Sequence, residues 1–160
     1  MEESIFIFDK FLGDESHLTE VFSKNKSLRL RWHNKGEVHK YSKFCNYILD
    51  FVSRYFNLES TVGYEFWGHF NTKPQSWHYD KDEEVFEKDK KLNYPLCSII
   101  YYLDISDLEG GSLLIEDDKI APRKDRLIIF PPGKYHKVEQ FKGTRKSLLI
   151  NPWNYKLNLK

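Results

Sequence analysis

Nothing in this sequence is long and apolar enough to span a bilayer; no run approaches the ~20 residues that a membrane helix needs. Charge of one sign is also lacking. Lys plus Arg number 25 against 24 Asp plus Glu, so composition supports no broad phosphate-binding surface. There are only two cysteines, Cys45 and Cys97, far apart and without C-x-x-C spacing. They are expected to be buried free thiols in a reducing compartment, not a disulfide. The opening M-E-E-S-I-F-I-F-D has acidic flanks and no long apolar core, unlike a secretory leader. A cytoplasmic protein without a membrane or a clear nucleic-acid surface is the expectation. No internal repeat or low-complexity tract appears, and 160 residues suit one domain.

Aromatic residues, by contrast, are plentiful: twelve Phe, ten Tyr and four Trp. Most should be core, because aromatics bury the most area per residue. Residues 4–8 (S-I-F-I-F) read as a strand, and Asp14 stands where a helix N-cap would, followed by Leu18, Val21 and Phe22 at helical spacing. Residues 28–32 (L-R-L-R-W) alternate like a second strand. Residues 38–56 carry one broad apolar stripe through Tyr41, Phe44, Ile48, Phe51, Val52, Tyr55 and Phe56, the pattern of a helix braced on a sheet.

From Thr61 onward the texture changes to short β-rich runs: T-V-G-Y-E-F-W, Q-S-W-H-Y-D, L-C-S-I-I-Y-Y-L, S-L-L-I, R-L-I-I-F, Y-H-K-V-E-Q-F and R-K-S-L-L-I. Turn residues separate them, as in a sandwich or barrel. Residues 81–91, K-D-E-E-V-F-E-K-D-K-K, interrupt the series and read as a solvated loop or short helix. The division expected is therefore 1–60 as strand and helix support and 61–155 as a β core.

The chemistry concentrates at two places. Residues 131–151 (P-P-G-K-Y-H-K-V-E-Q-F-K-G-T-R-K-S-L-L-I-N) read as two strands joined through a glycine-bearing loop at Gly143. Arg145, Ser147 and Leu149 would share one strand face. If His136 points to that face, an imidazole, the usual ligand of Fe, Zn or Cu, lies beside a guanidinium suited to grip a carboxylate. Upstream, His78 and Asp80 form H-x-D, on one face of a strand about 7 Å apart at the Cα atoms. Two histidines and one carboxylate on one side of a metal form the facial triad of non-haem iron oxygenases. Taken singly, each residue has a dull explanation as core or surface; order, spacing and strand parity agree only for the set. His17, His33 and His39 read as surface residues, and so does His69, although it follows Trp67 closely enough to edge a cavity.

With those residues in hand, the chain resembles the 2-oxoglutarate/Fe(II)-dependent dioxygenases, and most of all their prolyl-4-hydroxylase-like branch. The likeness covers roughly residues 61–153: H-x-D at His78 and Asp80, I-Y-Y-L-D at residues 100–104, G-G-S-L at residues 110–113, and His136 followed nine residues later by Arg145-x-Ser147. It implies a mainly β protein with N-terminal helices around a double-stranded β-helix, the jelly-roll or cupin-like core. It implies Fe(II) on His78, Asp80 and His136, with these three as the catalytic centre. It further implies 2-oxoglutarate clamped at its far carboxylate by Arg145 and Tyr102, with Ser147 nearby, O₂ as oxidant and ascorbate as an optional reductant. Trp67, Trp77, Asn151 and Trp153 would line the pocket. Three positions depart from the pattern. Arg145 stands where the collagen-type enzymes use lysine, Asn151 where relatives often carry tryptophan, and Trp67 or Gly68 where a tyrosine is expected. All three concern pocket lining, so the substrate is less constrained than the reaction. The implied activity is hydroxylation of an unactivated C–H bond, foremost of a prolyl residue in a peptide or protein, with succinate and CO₂ as co-products. A free amino acid or small metabolite, a nucleic-acid base, and a non-enzymatic metal- or ligand-binding jelly roll are the alternatives. A simple binding barrel needs no basic residue nine positions past its ligand, and Asp80 occupies the position that a halogenase leaves for halide.

Overall fold

The structure is a computed structural model that describes residues 4–159; the acidic flank at residues 1–3, used above against a leader, lies outside them. In chain order the elements are β1 (Phe6–Phe8), a 3-10 helix (Gly13–Phe22), β2 (Arg31–Asn34), α1 (Ser42–Val52), β3 (Gly63–Phe70), α2 (Glu83–Asp89), β4 (Ser98–Gly110), β5 (Leu113–Ile115), β6 (Asp118–Ile120), β7 (Leu127–Phe130), β8 (His136–Val138) and β9 (Phe141–Trp153). A large antiparallel sheet runs in the order β1-β7-β4-β9-β3-β2, and a small one in the order β6-β5-β8. This is the mainly β jelly-roll core expected from the sequence. Among the described residues no helix is long and apolar enough to cross a membrane.

The two faces of the large sheet do different work, because successive strand residues point to opposite sides. On the outer face, Tyr64, Phe66, Ile99, Tyr101, Leu148 and Ile150 pack against Phe44, Cys45, Ile48 and Val52 of α1. Each such aliphatic or aromatic side chain contributes about 1.5–3 kcal/mol when fully buried, so this layer anchors the sheet that carries the site. On the inner face, Ile100, Tyr102, Ile128 and Phe130 meet Leu113, Ile115 and Ile120, and the functional residues lie on this side. Cys45 and Cys97 are buried and free, as expected.

Several boundaries differ from the sequence reading, each for a local reason. Asp14 does not cap the 3-10 helix; the Asp125 carboxylate, from far along the chain, accepts from the Leu12 and Gly13 amides at 2.9 and 3.2 Å. The apolar stripe of residues 38–56 yields only the helix 42–52. At its start the Ser42 hydroxyl accepts from the His39 amide and donates to the His39 carbonyl, a local competitor of helix formation, and Val38 is almost fully in solvent. Strand β2 begins at Arg31, three residues later than the alternation suggests; upstream only the Gly68 amide reaches back, to the Leu28 carbonyl. Residues 75–80 form no strand beyond a single bridge between His78 and His136.

The hairpin expected over residues 131–151 is absent. Strand β8 belongs to the small sheet, paired with β5, whereas β9 sits in the large sheet between β4 and β3. Gly143 is no turn. It lies inside β9 with φ +110°, and a Cβ there would fall 2.2 Å from the Asp107 carbonyl oxygen, where the β4–β9 register slips.

His17 is exposed, as expected, but His33 and His39 are not ordinary surface residues. His33 is buried and stacks on His39 with ring centroids 3.6 Å apart, and its Nδ1 lies 2.8 Å from Glu37 Oε2. His39 Nδ1 accepts from the Tyr41 amide at 3.2 Å, and its Nε2 lies 2.6 Å from the Tyr64 hydroxyl. That pattern requires a neutral ring with its proton on Nε2. Burial, and then His33, lower the pKa of His39. The folded state therefore binds fewer protons at this ring than the unfolded chain. Its stabilising contribution is complete above the ordinary value of 6.5 and is lost as pH falls from there through the folded value. The stability gap between the parent and His39→Gln, read from urea midpoints, is accordingly expected to narrow between about pH 7.5 and about pH 5.5. A gap that stays constant or widens would contradict the neutral-ring assignment.

Candidate active site

His78, Asp80 and His136 come from two segments joined by one bridge. The His78 and His136 amides each donate to the other's carbonyl, at 2.9 and 3.0 Å, which sets the two rings side by side at 4.3 Å between centroids. One ligand atom from each of the three residues lies within 4.8 Å of the others. Asp80 Oδ1 is 3.3 Å from His136 Nε2 and 3.7 Å from His78 Nε2. Ligands about 2.1 Å from one ion at right angles would sit about 3 Å apart, so the set needs only a small contraction to share a metal.

The backbone prepares both rings for this. His78 Nδ1 lies 2.7 Å from the Ser76 carbonyl oxygen and His136 Nδ1 2.8 Å from that of Lys134. A carbonyl can only accept, so each Nδ1 carries a proton and donates it, which makes Nε2 the ligand atom of each ring in its neutral form. Asp80 is oriented in the same way: Ser98 donates its hydroxyl to Oδ2 at 2.7 Å, leaving Oδ1 toward the histidines. Burial opposes charge on both Asp80 and His136. Their mutual contact outweighs it, lowering the pKa of the acid and raising that of the base. A pair that holds charge in a buried place is suited to a cation shared between them.

Arg145 opens the interior stretch of β9 and is buried to 4% exposure. Its Nε donates to the Gly111 carbonyl at 2.9 Å, and Nη2 reaches the Tyr102 hydroxyl at 3.4 Å. Asn71 fixes the backbone there: Arg145 N–H donates to Asn71 Oδ1 at 2.7 Å, and Asn71 N–H to the Arg145 carbonyl at 2.9 Å. The G-G-S-L motif has a steric reason. Gly111 has φ +78°, and a Cβ on it would press on Arg145 Cδ at 3.1 Å. Both acceptors of the guanidinium are neutral, and burial lowers its pKa. A buried cation without an anion is costly, and a bound carboxylate would offset that cost. Ser147 is buried directly across from Tyr102 on one side and His69 on the other. In this conformation the hollow at Arg145 holds only about 20 Å³. Residues 72–75 form one wall of it.

The remaining expected lining residues divide. Trp67 lies across from Leu149 on the interior face and sits edge-on to His69. Trp77 is part-exposed and stacks on Tyr135 at 5.3 Å. Asn151 and Trp153 are buried and gather on Glu65: Trp153 Nε1 donates to Glu65 Oε1 at 2.8 Å, and the Asn151 side chain is near this carboxyl. Sequence reasoning passed over Ser98, Asn71 and Glu65, and it dismissed His69. His69 in fact lines the hollow with Arg145, and burial together with that guanidinium brings its pKa down to about 4. For Glu65 a signal existed: a lone acid in the middle of the apolar run G-Y-E-F-W.

Residues 67–154, more than half of the chain, match the 2OG-Fe(II) oxygenase superfamily, and the chain belongs to that family. Membership implies Fe(II) and 2-oxoglutarate, for which the histidine–carboxylate triad and the buried guanidinium are a chemical fit. No curated protein sequence matches it significantly. Among solved structures, a 2OG-Fe(II) oxygenase family oxidoreductase from Burkholderia pseudomallei superposes with TM-score 0.66 at 10% identity, covering 96% of this chain and 86% of the other. A prolyl-4-hydroxylase from Pseudomonas putida gives 0.63 at 15% identity, covering 96% and 94%. A Trichoplax adhaerens prolyl hydroxylase, in complex with a peptide fragment of the hypoxia inducible factor oxygen degradation domain, gives 0.62 at 15% identity, covering 94% and 83%. At such identities the likeness is one of fold.

Proposed function

We propose that this chain is a 2-oxoglutarate- and Fe(II)-dependent hydroxylase of an unactivated C–H bond, acting on a prolyl residue in a peptide, with residues 61–155 as its catalytic core. The observation that carries it is the presence, in one barrel interior, of three convergent ligand atoms and a buried guanidinium without an acidic partner among the described residues. The similarity in fold to prolyl hydroxylases supports the choice of substrate.

In this reading His78, Asp80 and His136 hold Fe(II) through Nε2, Oδ1 and Nε2. With the cosubstrate bound, the metal supplies oxidation by O₂ coupled to decarboxylation of 2-oxoglutarate to succinate, and hydroxylation of the substrate C–H bond. The protein's part is geometric and electrostatic. The Ser76 and Lys134 carbonyls hold the proton on Nδ1 of each imidazole and aim Nε2 at the metal. Ser98 holds Asp80 so that one oxygen faces the metal. Arg145 and Tyr102, with Ser147 beside them, clamp the distal carboxylate of the keto-acid, which selects its length. Burial keeps competing water out of that clamp.

The test is an anaerobic titration of metal-free protein with Fe(II) and then 2-oxoglutarate, followed by succinate release over a panel of prolyl peptides and small metabolites. The visible charge-transfer band of a chelated keto-acid is expected, with succinate formation stimulated by prolyl peptides. Absence of the band while metal is demonstrably bound would reject the hydroxylase reading. Stimulation by metabolites but not by peptides would reject the prolyl substrate alone.

A further inference from the structure

Glu65 mirrors Arg145 with the opposite sign. It stands on β3 across from Asn151, two residues from Trp67, and is 7% exposed. Its hydrogen-bond donor, the Trp153 indole, and the nearby Asn151 side chain are both neutral. The charges that act on it are those of Asp80 and Asp82, both repulsive; burial first, and these acids after it, push its carboxyl up to about 7. A carboxylate so placed needs a cation or else gives up its charge.

Glu65 also lines a cavity of about 470 Å³ between α2, the Arg29–Leu30 segment and residues 157–159. Lys81 and Asp82, which follow the triad residue Asp80, stand on its wall, and the Asp80 charge acts on Glu65 itself, so this carboxyl lies within electrostatic reach of the candidate iron site. Three other charged groups on its wall already have partners. Asp82 caps α2 through Oδ1 and accepts from the Tyr155 hydroxyl at 2.7 Å. Glu84 is held by Lys88 and by Asn158. Lys81 pairs with Glu83 at 3.3 Å. Arg29 is exposed. Among the described residues, no cation is paired with Glu65.

We propose that this cavity is a substrate subsite for an alkylammonium or guanidinium group, held against the Glu65 carboxylate while the neighbouring C–H bond lies at the metal. The inference rests on the hydroxylase reading for its place in catalysis, but not for the binding itself. A lysine or arginine side chain next to the oxidised residue of a peptide, or a free small amine, would supply the same cation. Trp153 donates to Glu65, so its indole fluorescence reports occupancy whether or not metal is bound.

The experiment compares n-butylammonium and n-butylguanidinium with n-butanol, by indole fluorescence, on metal-free protein and on the anaerobic Fe(II)–2-oxoglutarate complex. Cations are expected to bind about tenfold or more tighter than the alcohol, as suits a charge-assisted hydrogen bond. Glu65→Gln, which keeps an oxygen for Trp153, should abolish that preference; Glu65→Asp, which keeps the charge, should retain it. Succinate release with peptides carrying lysine or norleucine beside the target residue, and with n-butylammonium alone, then separates a peptide source from a free amine. Equal binding of cation and alcohol, no detectable cation binding, or a preference that survives Glu65→Gln would overturn the subsite. Cation preference without any charge-transfer band would uphold the subsite and sink the hydroxylase reading instead.

Discussion

Replacing Asp80 with alanine is expected to abolish the Fe(II)–2-oxoglutarate charge-transfer band and all coupled succinate formation. Asp80 is the only anion of the triad, and Oδ1 lies within 3.7 Å of both imidazole Nε2 atoms. Without it, two neutral nitrogens remain for a dication in a buried place, where solvation cannot make up the difference. Partners one shell out from a metal typically change affinity or activity about 10–100-fold, so loss of a direct ligand should exceed about 100-fold. Ser98→Ala sets the scale within the same protein. It frees Oδ2 of Asp80 without removing a ligand, and its Fe(II) affinity should fall between the parent and Asp80→Ala. Isothermal titration under anaerobic conditions measures all three. Retention of parent-like Fe(II) affinity in Asp80→Ala would remove the triad from its assigned role.

Arg145→Ala should leave Fe(II) binding nearly intact and raise the 2-oxoglutarate concentration needed for the band. Removing one partner of a buried, hydrogen-bonded charge pair costs on the order of 2–5 kcal/mol, or about 30-fold to a few thousandfold in affinity. Arg145→Lys should recover part of this loss and not all, because an ammonium cannot supply two parallel donors in one plane. Stability should move the other way or stay level, since in the free protein Arg145 is a buried cation among neutral acceptors. Thermal melts with and without 2-oxoglutarate would separate the two effects. An unchanged 2-oxoglutarate dependence in Arg145→Ala would show that the carboxylate is held elsewhere.

Much of the site was legible because its chemistry is carried by residue types that rarely keep such company. H-x-D, a distal histidine and R-x-S follow one another on β-rich segments, and period-2 alternation already places Arg145 and Ser147 on one face. The errors arose where partners lie far apart in sequence. Gly143 reads as a turn, yet it serves the close approach of two long strands at a register slip. Asp125 caps a helix more than a hundred residues upstream, which no local capping pattern can reveal. His33 and His39 look like solvent histidines until their stacking is seen.

The sequence by itself determined the apolar alternation of β4 and β9, the amphipathic stripe of α1, and the identity and order of the candidate metal-binding and carboxylate-binding groups. These are properties of short windows, where side-chain direction follows from backbone period alone. Only the tertiary structure decided which sheet each strand joins, that His78 and His136 bridge directly, and that backbone carbonyls hold their tautomers. It also decided that Glu65, one acid among many in the sequence, is buried among neutral partners at the edge of the site. Burial and the sign of nearby charges are set by residues brought together from distant parts of the chain, and those make a side chain's ionisation a property of the fold.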